Sequence, residues 1–114
     1  MAWIQLTSHE QLRDAIDISE KKPQVFFKHS TRCIISKMAL QEFERTGVIN
    51  SSNTDFYLLD LLNFRSISNE ISVKLNVLHQ SPQAIMLYKN EIVYSQTHER
   101  IDGNEVKSLI DSLQ

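Results

Sequence analysis

The passage that most constrains this chain runs from an apolar stretch, Val25-Phe26-Phe27, through the single cysteine, Cys33, into an amphipathic segment, Ile34 to Thr46. The stretch reads as a buried strand and the segment as a helix, so the thiol falls at a strand-to-helix junction. The first amides of a helix have no partner within it, and together with the helix dipole they favour negative charge. They therefore favour the thiolate, the nucleophilic form of cysteine. Position +3 is Ser36, which makes a Cys-x-x-Ser arrangement with no resolving thiol. A lone cysteine is often only a small buried hydrophobe. Its place before a helix, with Lys28, His29 and Arg32 nearby, is what marks this one as reactive. Lys28 is the weaker neighbour, because strand residues alternate sides and it can point away from the sulfur.

Composition sets the remaining bounds. A chain of 114 residues fits one domain, spanning 1–114, and is long enough to bury a core without staples. The net charge of −2, with no basic block, argues against a nucleic-acid partner. His9, His29, His79 and His98 are scattered and Cys33 has no second thiol at ligand spacing, so no metal is expected. One cysteine excludes an internal disulfide framework and points to the cytoplasm. Met1 to Leu6 lacks a basic start followed by a long apolar run, so neither a leader nor a membrane span is expected.

The rest of the chain alternates strands and helices. Trp3 to Leu6 predicts a short strand. Thr7 and Ser8 offer N-caps to a helix with Leu12, Ala15 and Ile16 inward, ending near Ser19. Gln24 to Lys28 predicts the second strand. In the helix after Cys33, Ile34 pairs with Met38, and Ile35 with Ala39 and Phe43, at i, i+4 spacing, and Gly47 ends it. Asp55 to Asp60 predicts a third strand. Ser66 is the expected cap of a helix carrying Ile67, Ile71 and Leu75, and Asn76 suits the left-handed residue after it. Gln83 to Tyr88 and Ile92 to Thr97 flank a turn and predict a hairpin. Asp102 and Glu105 cap a last helix with Val106, Leu109, Ile110 and Leu113 inward. The order β-α-β-α-β-α-β-β-α makes an α/β fold, a mixed sheet with helices on both faces.

That order, with a thiol after the second strand and a proline before the hairpin, is the arrangement of the thioredoxin fold. Lys28-His29-Ser30-Thr31-Arg32-Cys33 followed by Ile35-Ser36, and His79-Gln80-Ser81-Pro82-Gln83 preceded by Ser68-Asn69-Glu70-Ile71, resemble the YtxJ-type monothiol bacilliredoxins. Ser95 to Ile101, with His98, is a looser match. The resemblance implies a redox protein whose one cysteine exchanges with mixed disulfides of bacillithiol, a low-molecular-weight bacterial thiol that is co-substrate rather than bound cofactor. Its partners would be S-thiolated client proteins. It also implies that Ser81, before a cis Pro82, lies opposite Cys33 and pairs by backbone with thiol substrates, with Thr31 flanking the same groove. Two positions depart from the family. Ile34 stands where proline is usual and restores an amide next to the sulfur, which either serves the thiolate or marks a packing change. Asn76 stands where glycine is usual and affects only helix termination.

Ser36 reads two ways, as a first-turn residue bonded to backbone or as a donor to the sulfur. His29, Arg32 and His98 are further candidates for the site, each with a structural reading beside it. Two other functions compete with the bacillithiol reading: a glutathione-linked monothiol protein, and a non-catalytic thioredoxin-like module holding an extended peptide along the Ser81–Pro82 edge.

Overall fold

The structure is a computed structural model and describes residues 3–113; the expectations that rest on Met1, Ala2 and Gln114 lie outside the described residues. Nine elements follow the predicted order: β1 (Ile4–Gln5), α1 (His9–Ile18), β2 (Gln24–His29), α2 (Ile34–Arg45), β3 (Asp55–Asp60), α3 (Arg65–Leu75), β4 (Gln83–Tyr88), β5 (Glu91–Thr97) and α4 (Gly103–Ser112). Short 3-10 turns at Val48–Asn50 and His98–Arg100 were not anticipated. The strands form one sheet in the order β1-β3-β2-β4-β5. β2 runs parallel to β3 and antiparallel to β4, and β4 and β5 form the hairpin. No helix among the described residues is long and apolar enough to cross a membrane.

Alternation along β2 divides the core in two. Phe26 joins Leu12 and Ala15 of α1 and Ile67 and Ile71 of α3 on one face. Val25 and Phe27 join Phe43 of α2 and Val106 and Ile110 of α4 on the other. Trp3 closes the second cluster from the edge. Its ring stacks on Phe43 at 5.8 Å, meets Phe27 edge-on at 5.8 Å, and donates from Nε1 to Glu44 at 2.8 Å. α4 approaches α2 closely at Gly103, where a Cβ would lie 2.4 Å from Thr46 Oγ1.

Local signals account for most helix ends. Ser8 caps α1 by accepting from the Gln11 amide, and Gln11 Oε1 accepts from the amide of Thr7, one residue before the cap, a variant of the capping box. Asp102 caps α4 through the Asn104 amide. Asn76 is left-handed at φ 54 and ψ 50, as its position predicts. One cap is corrected. The N-cap of α3 is Phe64, not Ser66, because Asp60 draws the chain into a tighter turn: its carbonyl accepts from the Asn63 and Phe64 amides and its carboxylate from Leu62. The helix is under way by Arg65, and Ser66 Oγ instead lies 3.2 Å from His9 Nε2.

The apolar pairs of α2 do not all face inward. Ile34, Ile35 and Met38 are exposed, at 67, 53 and 59%. Ser36 and Phe43 are buried, with Ala39 and Leu40 packed partly against the core. Phe43 is thus the one large α2 side chain that is fully buried, touching three other aromatic rings. Phe43→Ala is expected to cost about 3–5 kcal/mol of stability, read as a fall in the urea midpoint with an unchanged slope.

Candidate active site

The β2–β4 ladder ends where Lys28 faces Gln83. This leaves Pro82 at the same end of the sheet as His29 and the turn that carries Cys33. The Ser81–Pro82 peptide bond is cis. The Pro82 carbonyl accepts from the His98 amide at 3.1 Å, which ties the turn after β5 to the same place. His98 itself sits in left-handed backbone at φ 54.

Cys33 is the N-cap residue of α2 and is partly exposed. Its amide donates to Ser30 O at 3.2 Å, and its carbonyl accepts the first helical bond, from Lys37, at 3.0 Å. The amides of Ile34, Ile35 and Ser36 therefore precede the ladder and open toward the helix entrance beside the sulfur. The thiol makes no capping bond. Because the Ile34 side chain is mostly exposed, its replacement of the family's proline is not a core-packing change.

Ser36 is fully buried, and its hydroxyl is committed elsewhere than the sulfur. It accepts from the Ser30 amide at 3.0 Å and lies 2.6 Å from His29 Nδ1. The hydroxyl, with one proton and two lone pairs, thus serves the Ser30 amide and the His29 ring together. Burial lowers the pKa of His29, an effect that Asp60 and Glu44 oppose, and the imidazole is accordingly neutral. Lys28 points to the other face of the sheet, where Nζ meets Ser68 O, Ser72 Oγ and His79 Nδ1. Thr31 and Arg32 are exposed on the turn before the thiol.

On the α2 side of Cys33 the surface carries exposed apolar side chains. Ile34, Ile35 and Met38 form an apron, and a groove of about 580 Å³ runs from Ile35 and Met38 to His98, Glu99 and Ile101, with Glu42 on its rim. Close by, Ser81 Oγ is buried without a protein partner. Cys33, Pro82 and His98 are thus gathered at one end of the sheet, while His29 and Ser36 form a layer beneath the turn. The groove formed by Met38, Glu99 and Ile101 escaped sequence reasoning, because the i, i+4 pairs of α2 do not tell which of them face the core. The Lys28–His79 contact escaped it too, although a lysine within an apolar strand was a visible signal.

Comparison with known proteins places this geometry. Residues 4–106 match the family described as monothiol bacilliredoxin BrxC. A solved structure described as a candidate oxidoreductase with a thioredoxin fold is 31% identical, with a TM-score of 0.78 over 92% of this chain and 90% of that one. Thioredoxin from Malassezia sympodialis superposes with a TM-score of 0.71 at 16% identity, over 97% of this chain and 90% of its own. That from Trypanosoma brucei brucei gives 0.71 at 19%, over 98% and 90%. The fold is the thioredoxin fold. The chain belongs to the monothiol bacilliredoxin family, and its function is thiol redox chemistry.

Two outcomes test the layer beneath the thiol. Ser36→Ala leaves the Ser30 amide and His29 Nδ1 unpaired in the interior and is expected to cost about 1–3 kcal/mol in denaturant titrations. His29 binds a proton less readily when folded than when unfolded, so acid favours the unfolded chain. Stability is expected to fall as pH drops through the ordinary histidine range, about 6.5 downward, and His29→Asn should make that fall shallower.

Proposed function

We propose that this member of the monothiol bacilliredoxin family removes bacillithiol from S-thiolated client proteins, with Cys33 as nucleophile. The observation that carries the reading is a part-exposed thiol at the entrance of α2 whose +3 neighbour is a hydroxyl already bonded to His29 and Ser30. Such a site can accept a thiol adduct and cannot expel it by forming an internal disulfide.

The cycle uses two exchanges. The Cys33 thiolate attacks the bacillithiol sulfur of the mixed disulfide. The bond between that sulfur and the client breaks, the client leaves as a thiolate that takes up a proton, and Cys33 carries the bacillithiol. A second bacillithiol thiolate then attacks the sulfur of the bound one, which leaves as bacillithiol disulfide and regenerates Cys33. The net change is one client disulfide reduced and two bacillithiols oxidised to their disulfide, of which one came from the client. No metal or nucleotide enters the cycle, which suits a reducing compartment such as the cytoplasm.

The apolar apron of Ile34, Ile35 and Met38 would cover the client around its disulfide. Ser81, with Thr31 across the groove, would pair with its backbone. Exposed Arg32 and half-buried His98 flank this region and would meet the polar parts of the thiol or client.

A client carrying bacillithiol, incubated with the protein and bacillithiol, is expected to be reduced in many turnovers, and Cys33→Ser to be inactive. Equal or faster reduction of the glutathione-bearing client would move the reading to a glutathione-linked protein. Client binding with no turnover would make the chain a non-catalytic binding module.

A further inference from the structure

Lys28 lies in the middle of the protein with none of its surface exposed. Its ammonium has three hydrogens and finds three acceptors: Ser68 O at 3.3 Å, Ser72 Oγ at 3.2 Å and His79 Nδ1 at 3.2 Å. None is a carboxylate. A buried ammonium with only neutral partners stabilises a fold less than an apolar side chain of the same length would. Stability alone therefore does not account for a lysine here, and its partners show what it does.

Two of the three acceptors belong to α3. The third, His79, belongs to the segment between α3 and β4 that ends in Ser81–Pro82. Ser72 Oγ itself donates to Ser68 O, which frees its lone pairs for the ammonium. Ser68 Oγ lies 3.1 Å from the same His79 nitrogen, so β2, α3 and this segment meet at one atom. Gln83, the register partner of Lys28 on β4, holds the adjacent residue: its Nε2 donates to Leu78 O at 3.1 Å. Neighbouring side chains on two central strands thus grip successive residues of one connection. Leu78 is 79% exposed, so its side chain contributes little packing to hold the segment in place.

We infer that Lys28 is a positioning residue that, by donating to His79, fixes the 76–82 segment and so sets Ser81–Pro82 at the right distance for a client bound at Cys33. This rests on the proposed dethiolation for its kinetic consequence, not for its structural one. The bond requires a neutral His79, and burial together with the Lys28 and Arg65 charges lowers the pKa of that imidazole. Burial also lowers the pKa of Lys28, to about 8, which leaves it mostly protonated at neutral pH.

Lys28→Met keeps the length and removes the charge; His79→Leu removes the acceptor on the segment and leaves the residues of both apolar clusters in place. Each is expected to raise KM for a bacillithiol-bearing client about tenfold with kcat within about twofold, as for loss of one charged hydrogen bond. The double variant should be no worse than either single one. Iodoacetamide should label Cys33 at the wild-type rate, because the helix entrance is untouched. Amides of residues 77–81 should exchange with deuterium faster in both variants. If Lys28→Met fails to fold, His79→Leu decides by the same measurements. Wild-type KM together with unchanged exchange overturns the inference. A wild-type protein that does not dethiolate clients would refute the proposed function instead, and the exchange measurement would still decide the role of Lys28.

Discussion

Because β2 lies between β3 and β4 and is covered by helices on both faces, none of its six residues reaches water freely. Three of them are nevertheless polar: Gln24, Lys28 and His29. A polar group in that position must find its partners inside the protein or cost the fold several kcal/mol. Gln24 does so at one end, with Asp55 at 2.9 Å and the Tyr57 hydroxyl at 2.8 Å. Lys28 and His29 do so at the other end, the one that carries the thiol. Lys28 reaches α3 and the segment before β4, while His29 reaches the first turn of α2. The requirement that buried polar groups be paired thus shapes the site from beneath.

Two chemical consequences follow. The hydroxyl three residues after the thiol closes the turn from Ser30 to Ser36 and answers His29, so it serves architecture rather than the second half of a dithiol couple. Because Ser36 is the residue that turns inward, the apolar residues of the first turns, Ile34, Ile35 and Met38, face outward beside Cys33. In the proposed function, a surface of this kind would displace water from a client's disulfide without recognising its sequence in detail. Two carboxylates, Glu42 and Glu99, make part of the groove acidic.

Much of this was legible in the sequence. The strand-helix order, the caps at Ser8 and Asp102, the left-handed Asn76 and the place of Cys33 all follow from local chemistry. The failures share a cause, which is that periodicity reports hydrophobicity and not where a helix lies relative to the core. The i, i+4 spacing pairs Ile34 with Met38, but both side chains are left exposed at the start of α2. Ser66 resembled a cap, yet a turn built by Asp60 starts α3 earlier. The Lys28–His79 bond joins residues 51 positions apart, and no local pattern encodes such a contact. Its one local trace was a lysine where an apolar residue would be cheaper to bury.

In the proposed cycle Cys33 takes the low-molecular-weight thiol from the client and holds it, because the +3 hydroxyl can neither expel it nor form a disulfide. Intact-mass analysis of the chain, quenched with acid during turnover of a bacillithiol-bearing client, tests this most directly. One bacillithiol per chain is expected, located on Cys33 and removed by further bacillithiol. A disulfide between Cys33 and the client protein as the accumulating species, or a chain that stays unmodified while the client is reduced, would contradict it.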